Sequence, residues 1–180
     1  MTKHNSHMIA LNKFVEKLRQ RHPDSFVPDF DSNDGGIDSQ VLFLFEKPGP
    51  MTDTENGGSG LISRDNNDPT ANATKMILER IGLDRKKTLI WNSIPIWNHT
   101  IQIKSIEQKL GFIYLQELLT LLDKLKVIVL VGKKSQKAEM LLDSRYVIIK
   151  SFHPSLRVKN RFPSKWNEIE AKWNEVSKFI

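Results

Sequence analysis

A chain of 180 residues with 39% hydrophobic content is of single-domain size and can bury an ordinary core. The absence of cysteine excludes disulfides, a thiolate-held zinc or iron–sulfur cluster and a cysteine nucleophile, so any metal would need His and carboxylates. A net charge of +6 favours polyanions such as nucleic acid through counterion release, and no apolar run reaches the ~18 residues of a membrane span, so a soluble, cytoplasmic chain is expected.

The first eight residues, Met1 to Met8, hold two His and little apolar character and read as a disordered tail or an expression remnant, leaving 9–180 as one domain. Ile9, Leu11, Phe14, Val15 and Leu18 recur at roughly helical spacing, which predicts an amphipathic helix over Ile9 to Arg21, ended near Pro23. After a polar stretch, Val41-Leu42-Phe43-Leu44-Phe45 is an unbroken apolar run, the pattern of a strand buried on both faces of a parallel sheet. Residues 48–67 carry Gly49, Gly57, Gly58 and Gly60 and are predicted to lack regular structure, in a segment long enough to carry function.

Asp68-Pro69-Thr70 reads as an N-cap followed by proline at the first helical position, opening a helix through Ala71, Met76, Ile77 and Ile81 that stops at Gly82. Thr88-Leu89-Ile90-Trp91-Asn92 is a second strand. Ser105 and Gln108 are expected to form a capping box ahead of a helix whose apolar positions include Leu110, Ile113, Leu115, Leu118 and Leu122. Val127-Ile128-Val129-Leu130-Val131 is the third strand, turned by Gly132 into a Lys-rich helix through Leu142, and Tyr146-Val147-Ile148-Ile149 is the fourth. A last helix over 164–179 puts Trp166, Ile169, Trp173 and Val176 on one face. Strands alternating with helices predict a three-layer α/β/α sandwich around a central four-stranded parallel sheet, because parallel strands need crossover connections.

In an open α/β sheet the ligand crevice lies beyond the carboxyl ends of the strands. That singles out Glu46-Lys47-Pro48-Gly49, Asn92-Ser93-Ile94-Pro95, Gly132-Lys133-Lys134-Ser135 and Phe152-His153-Pro154-Ser155-Leu156-Arg157. The third of these lacks the Gly-x-x-x-x-Gly-Lys spacing of a phosphate loop, although backbone amides there can hold an anion. The succession of Glu-x-Pro-Gly after the first strand, Ile81-Gly82-Leu83-Asp84-Arg85 leading to Asn92, Val131-Gly132 before a helix, and His153-Pro154-Ser155 resembles the uracil-DNA glycosylase superfamily. The likeness spans roughly residues 41–165 and is greatest to the branch whose first motif reads Gly-Glu-Ala-Pro-Gly.

That resemblance implies a monomeric base-excision repair enzyme with DNA as its partner, associated with the nucleoid when bound. Its reaction would be hydrolysis, without metal or cofactor, of the N-glycosidic bond of a flipped, deaminated base, uracil foremost. Such cleavage leaves a cation-like sugar and an anionic base, so the site must stabilise charge on the base carbonyl while a carboxylate aligns water or supports the sugar. His153 would serve the first task and Glu46 the second. Asn92 would read the pyrimidine edge, its amide offering donor and acceptor, with Lys47, Pro48 and Gly49 completing the base-binding turn. Ser155, Arg157, Lys159, Asn160 and Arg161, with Arg64 and Lys133, would hold DNA, and Leu156 would fill the vacated stack.

The chain also departs from the family pattern. Phe45 stands where a Gly precedes the Glu, Lys47 stands where several branches carry a catalytic Asp or Asn, and the cluster cysteines are missing. No aromatic suited to stacking on a base is evident between Gly57 and Ala71, where Arg64 could stack in its stead. A second expectation therefore stands beside the first: a glycosylase-like module that binds DNA or a nucleotide with altered or lost chemistry. A third is an enzyme acting on free nucleosides or nucleotides.

Overall fold

The computed structural model of the chain describes residues 3–180, with side chains from residue 6 onward. Its elements are α1 (Ile9–Arg21), β1 (Asp29–Phe30), β2 (Val41–Phe45), β3 (Leu61–Ile62), α2 (Pro69–Arg80), β4 (Thr88–Asn92), α3 (Ser105–Leu119), β5 (Val127–Val131), β6 (Val147–Ser151), α4 (Leu156–Arg161) and α5 (Pro163–Asn174). The four apolar runs form one parallel sheet in the order β4-β2-β5-β6. The chain leaves β2, adds β4 on one side and returns to add β5 and β6 on the other, so the winding reverses between β2 and β5.

Register explains the layers. Leu44 pairs with Trp91 and Phe45 with Asn92, and neighbours in register share a face while successive residues alternate. Trp91 meets Phe14 of α1 edge-on at 6.4 Å and stacks on Phe30 at 3.6 Å. Phe43 and Phe45, on the other face, meet Trp173 of α5 at 4.9 and 6.5 Å. Helices therefore cover both faces, giving the expected sandwich. Val127–Val131 is fully buried, as are Trp173 and Phe43, and each such side chain contributes about 1.5–3 kcal/mol of transfer free energy.

Local sequence signals hold at α2, where Asp68 Oδ1 accepts from Thr70 N and Ala71 N, both at 2.9 Å, and Gly82 at φ +65° ends the helix. At α3 the cap is shifted by one residue. Lys104 is the N-cap and Glu107, not Gln108, reaches back to Lys104 N at 2.7 Å, because a carboxylate accepts more strongly than an amide. The Lys-rich segment after β5 is a 3-10 helix, Ser135–Leu141, rather than an α-helix. There Ser135 Oγ donates to Gly132 O and Gln136 Nε2 to Ser151 O, and the side chains pull the turn away from α geometry.

Residues 48–67 are not without regular structure, since β3 pairs in parallel with β1. The last helical stretch divides into α5 and a 3-10 turn, Glu175–Lys178, and Ile169, Trp173 and Val176 are fully buried as the spacing predicts. Ordered structure begins ahead of Ile9: Lys3–Met8 is a 3-10 segment, Met8 is 3% exposed in the core and His7 Nε2 lies 3.2 Å from Ser32 O. The rest of the expected tail, Met1 and Thr2, lies outside the described residues. Among the described residues no helix is long and apolar enough to cross a membrane.

Candidate active site

A cavity of about 310 Å3 opens beyond the carboxyl ends of β2 and β4, walled by the start of α2 and the His153 loop. Phe45, Ile90 and Asn92 come from one sheet face, and Ala71 and Thr74 from α2 above it. The volume is at the small end for ligand sites, suited to one base-sized ring.

Asn92 and His153 come together here, as expected. Asn92 is 6% exposed, and among the described residues neither its Oδ1 nor the buried Nδ1 of His153 has a hydrogen-bond partner. Buried polar groups are almost always paired, so three unpaired ones on residues lining one cavity, Arg64 Nε being the third, mark a place suited to a polar ligand. Burial pushes the His153 imidazole below its usual value, against the opposing pull of Glu46 and Asp68. The ring is thus neutral at pH 7 and carries a single N–H to donate.

Phe45 replaces the expected glycine with an aromatic wall. Its ring lines the cavity and meets His153 edge-on, 5.5 Å away at 88°. The cavity thus has an aromatic wall from the end of β2, not from the segment between Gly57 and Ala71. Signal for it was present in the motif, but nothing in the linear pattern says that a strand-end Phe turns toward His153.

The two charged side chains of the first loop are bonded to other residues of the chain. Pro48 and Gly49 line the cavity, and so does Lys47, but the Lys47 ammonium is buried elsewhere, donating to Asn98 Oδ1 at 2.7 Å, Gln102 O at 3.0 Å and Glu107 Oε1 at 2.7 Å. Burial alone would raise the Glu107 carboxyl, but bonds from Lys47, Lys104 N and Asn98 outweigh it and leave it below the usual carboxylate value. All three ammonium donors being taken, Lys47 ties the loop after β4 to α3 and has none left for a base. Lys47→Met is expected to lower stability by about 2–3 kcal/mol in denaturant unfolding, because Glu107 and Asn98 lose their partner; an unchanged midpoint would contradict the tether.

Glu46 is not among the cavity-lining residues. Its Oε1 accepts from Lys134 N at 2.8 Å, and it packs so close to Gly132 that a Cβ there would lie 2.5 Å from the same oxygen. The anion held by the Lys134 amide after β5 is the chain's own glutamate.

Arg64, expected to hold DNA or to stack on a base, is buried. It lines the cavity floor at 5% exposure, 3.5 Å from Asp34 and donating to Thr88 Oγ1 at 2.5 Å. Arg85 completes this buried cluster, reaching Asp31 at 2.6 Å, Asp34 at 2.9 Å and Asp65 at 2.6 Å, while Ser63 Oγ donates to Asp31. Arg64 is therefore committed to the floor of the site, which removes it from the DNA-facing set.

The remaining expected DNA contacts lie on or near α4, directly after His153. Ser155 is its N-cap, with Oγ accepting from Val158 N at 3.4 Å. Leu156 is 51% exposed, and Arg157, Lys159, Asn160 and Arg161 are exposed along the same helix. Lys159 lies over Trp166, with Nζ 5.5 Å from the ring centre. Lys133 is exposed in the turn after β5. None of these lines the cavity. Asp68 does line it. Sequence reasoning saw only its capping role, since nothing local reveals that the α2 N-terminus opens onto His153.

No curated protein is similar enough to match. The family model of the uracil DNA glycosylase superfamily matches residues 33–177, extending the resemblance at both ends and taking in every element from β2 to α5. With the parallel sheet and the strand-end cavity in agreement with that match, the chain belongs to the uracil-DNA glycosylase superfamily, and its domain is of the DNA glycosylase type.

Proposed function

We propose that this protein excises a deaminated base from DNA by hydrolysing its N-glycosidic bond, with uracil the preferred base. The reading rests above all on the buried Asn92, its Oδ1 unpartnered among the described residues, and the neutral, half-buried His153 ring, which line one base-sized cavity. The amide offers an acceptor and a donor, the complement of the N3–H and O4 edge of uracil. A neutral imidazole donating to a base carbonyl stabilises the anion that forms as the bond breaks, and the surrounding Phe45, Pro48 and Ile90 exclude water that would weaken it. The exposed Leu156 and the basic residues of α4 follow directly on His153 in the chain, and a duplex with an extruded base would lie against them.

Oligonucleotides carrying a single uracil, hypoxanthine or xanthine, treated with alkali after incubation, test this. Strand breaks at uracil and none in a thymine control are expected. The commitment of Glu46 to Lys134 N and of Lys47 to Glu107 favours a second reading, a DNA- or nucleotide-binding module without turnover. Salt-sensitive binding with no cleavage of any substrate would support that reading against the first. Turnover of free nucleosides alone would overturn both.

A further inference from the structure

We propose that Asp68, rather than the Glu46 to which the strand-end motif points, is the carboxylate that activates water in this cavity; the assignment rests on the glycosylase reading above. Asp68 lines the cavity together with Asn92 and His153. Its charge is felt at the His153 ring. Oδ1 is anchored by Thr70 N and Ala71 N, both at 2.9 Å, which orients the carboxylate from the first turn of α2. Oδ2 makes no hydrogen bond or ion pair among the described residues. One oxygen fixed and the other open is the arrangement that holds a water in a defined direction.

The independent mark of a ligand at this place is Asn92, more than nine-tenths buried with Oδ1 unpartnered in the same cavity. Glu46 lacks these properties: it is outside the lining, and its carboxylate accepts from Lys134 N.

In the step assigned here, the oxygen of a water bound to Asp68 Oδ2 forms a bond to the sugar C1′ as the C1′–N bond breaks. The electron pair of that bond leaves on the base, whose anion is held by His153 and Asn92. One proton of the water passes to Asp68, which later returns it to solvent, and the base anion takes up a proton on release. No further reactant is needed.

The test compares the cleavage rate of a uracil-containing oligonucleotide by the unaltered chain, Asp68→Asn and Glu46→Gln, alongside melting temperature and oligonucleotide affinity. Asn is an N-cap as good as Asp and keeps Oδ1, so α2 is preserved. Asp68→Asn is expected to lower kcat by about 10²–10⁴-fold, more than Glu46→Gln does, at nearly unchanged melting temperature and affinity. No cleavage by the unaltered chain overturns the glycosylase reading and this assignment with it. An active parent with Asp68→Asn within about threefold of it, or with Glu46→Gln the more damaging change, overturns Asp68 alone. If Asp68→Asn melts early, Asp68→Ser, another capping residue without a carboxylate, is judged by the same criterion.

Discussion

His153→Ala is expected to lower the rate of base excision by about 10²–10³-fold while leaving DNA affinity nearly intact, the loss corresponding to the roughly 2.7–4 kcal/mol of one donor to a developing oxyanion. The reason is geometric: the buried Nδ1 has no hydrogen-bond partner among the described residues, which leaves the imidazole at the cavity free to engage a ligand. A structural histidine would behave differently. If the variant lost its fold, with the loss of activity following from that, the ring would be a spacer for Phe45 and Pro154. His153→Gln separates the cases, since it restores bulk and a donor without an imidazole.

The acid side of the profile carries a second signature of the same residue. Burial holds the folded-state value of His153 below its unfolded one, so the stability of the neutral-ring form is fully present above the usual imidazole value and is lost as pH falls through the lowered one. Activity should fall over that same window as the ring gains a proton and Asp68 and Glu46 attract the charge. In His153→Ala the acid loss of stability should be smaller, and a superimposable melting profile would contradict this role.

Arg85→Met is expected to cost about 3–5 kcal/mol of stability, the largest structural effect of any single change described, because Asp31, Asp34 and Asp65 would lose a shared cation. For a chain of this size that is a fall of roughly 10 °C in melting temperature. The cluster is not an unmixed gain, however. Burial pushes the Asp34 carboxyl up to about 6 even though Arg64 and Arg85 pull it down, so taking the charge out of water outweighs the attraction. Since the folded value lies above the unfolded one, the associated stability is complete below the unfolded value of 3.8 and is lost as pH rises through about 6. Between pH 4 and 7 the parent should therefore lose about 2 kcal/mol relative to Asp34→Asn, measured by urea unfolding at each pH. Parallel stability curves for the two proteins would contradict the buried, partly protonated state. The cluster floors the cavity through Arg64, so its retention makes sense as positioning rather than as stabilisation.

The strands and their order of chemistry were legible because burial on both faces leaves its trace as unbroken apolar runs, and because capping chemistry at Asp68, Pro69 and Gly82 acts within one turn of chain. Asn92 and His153 were found for a related reason: strand ends in an open α/β sheet are where ligands bind, and strand ends can be read from the runs that precede them. What was misread depended on partners distant in the chain. The cap of α3 moved to Lys104 because Glu107 also holds Lys47, sixty residues away, and the pairing of β1 with β3 has no local periodicity to announce it.

The amino-acid order by itself thus determined a parallel α/β sandwich, the family resemblance and two of the cavity's polar groups, since each follows from patterns a few residues long. Only the tertiary structure decided which charges face that cavity. A carboxylate or ammonium chooses among all acceptors and donors within reach, and the choices of Glu46 for Lys134 N, Lys47 for Glu107, and Arg64 for Asp34 left Asp68 open to it.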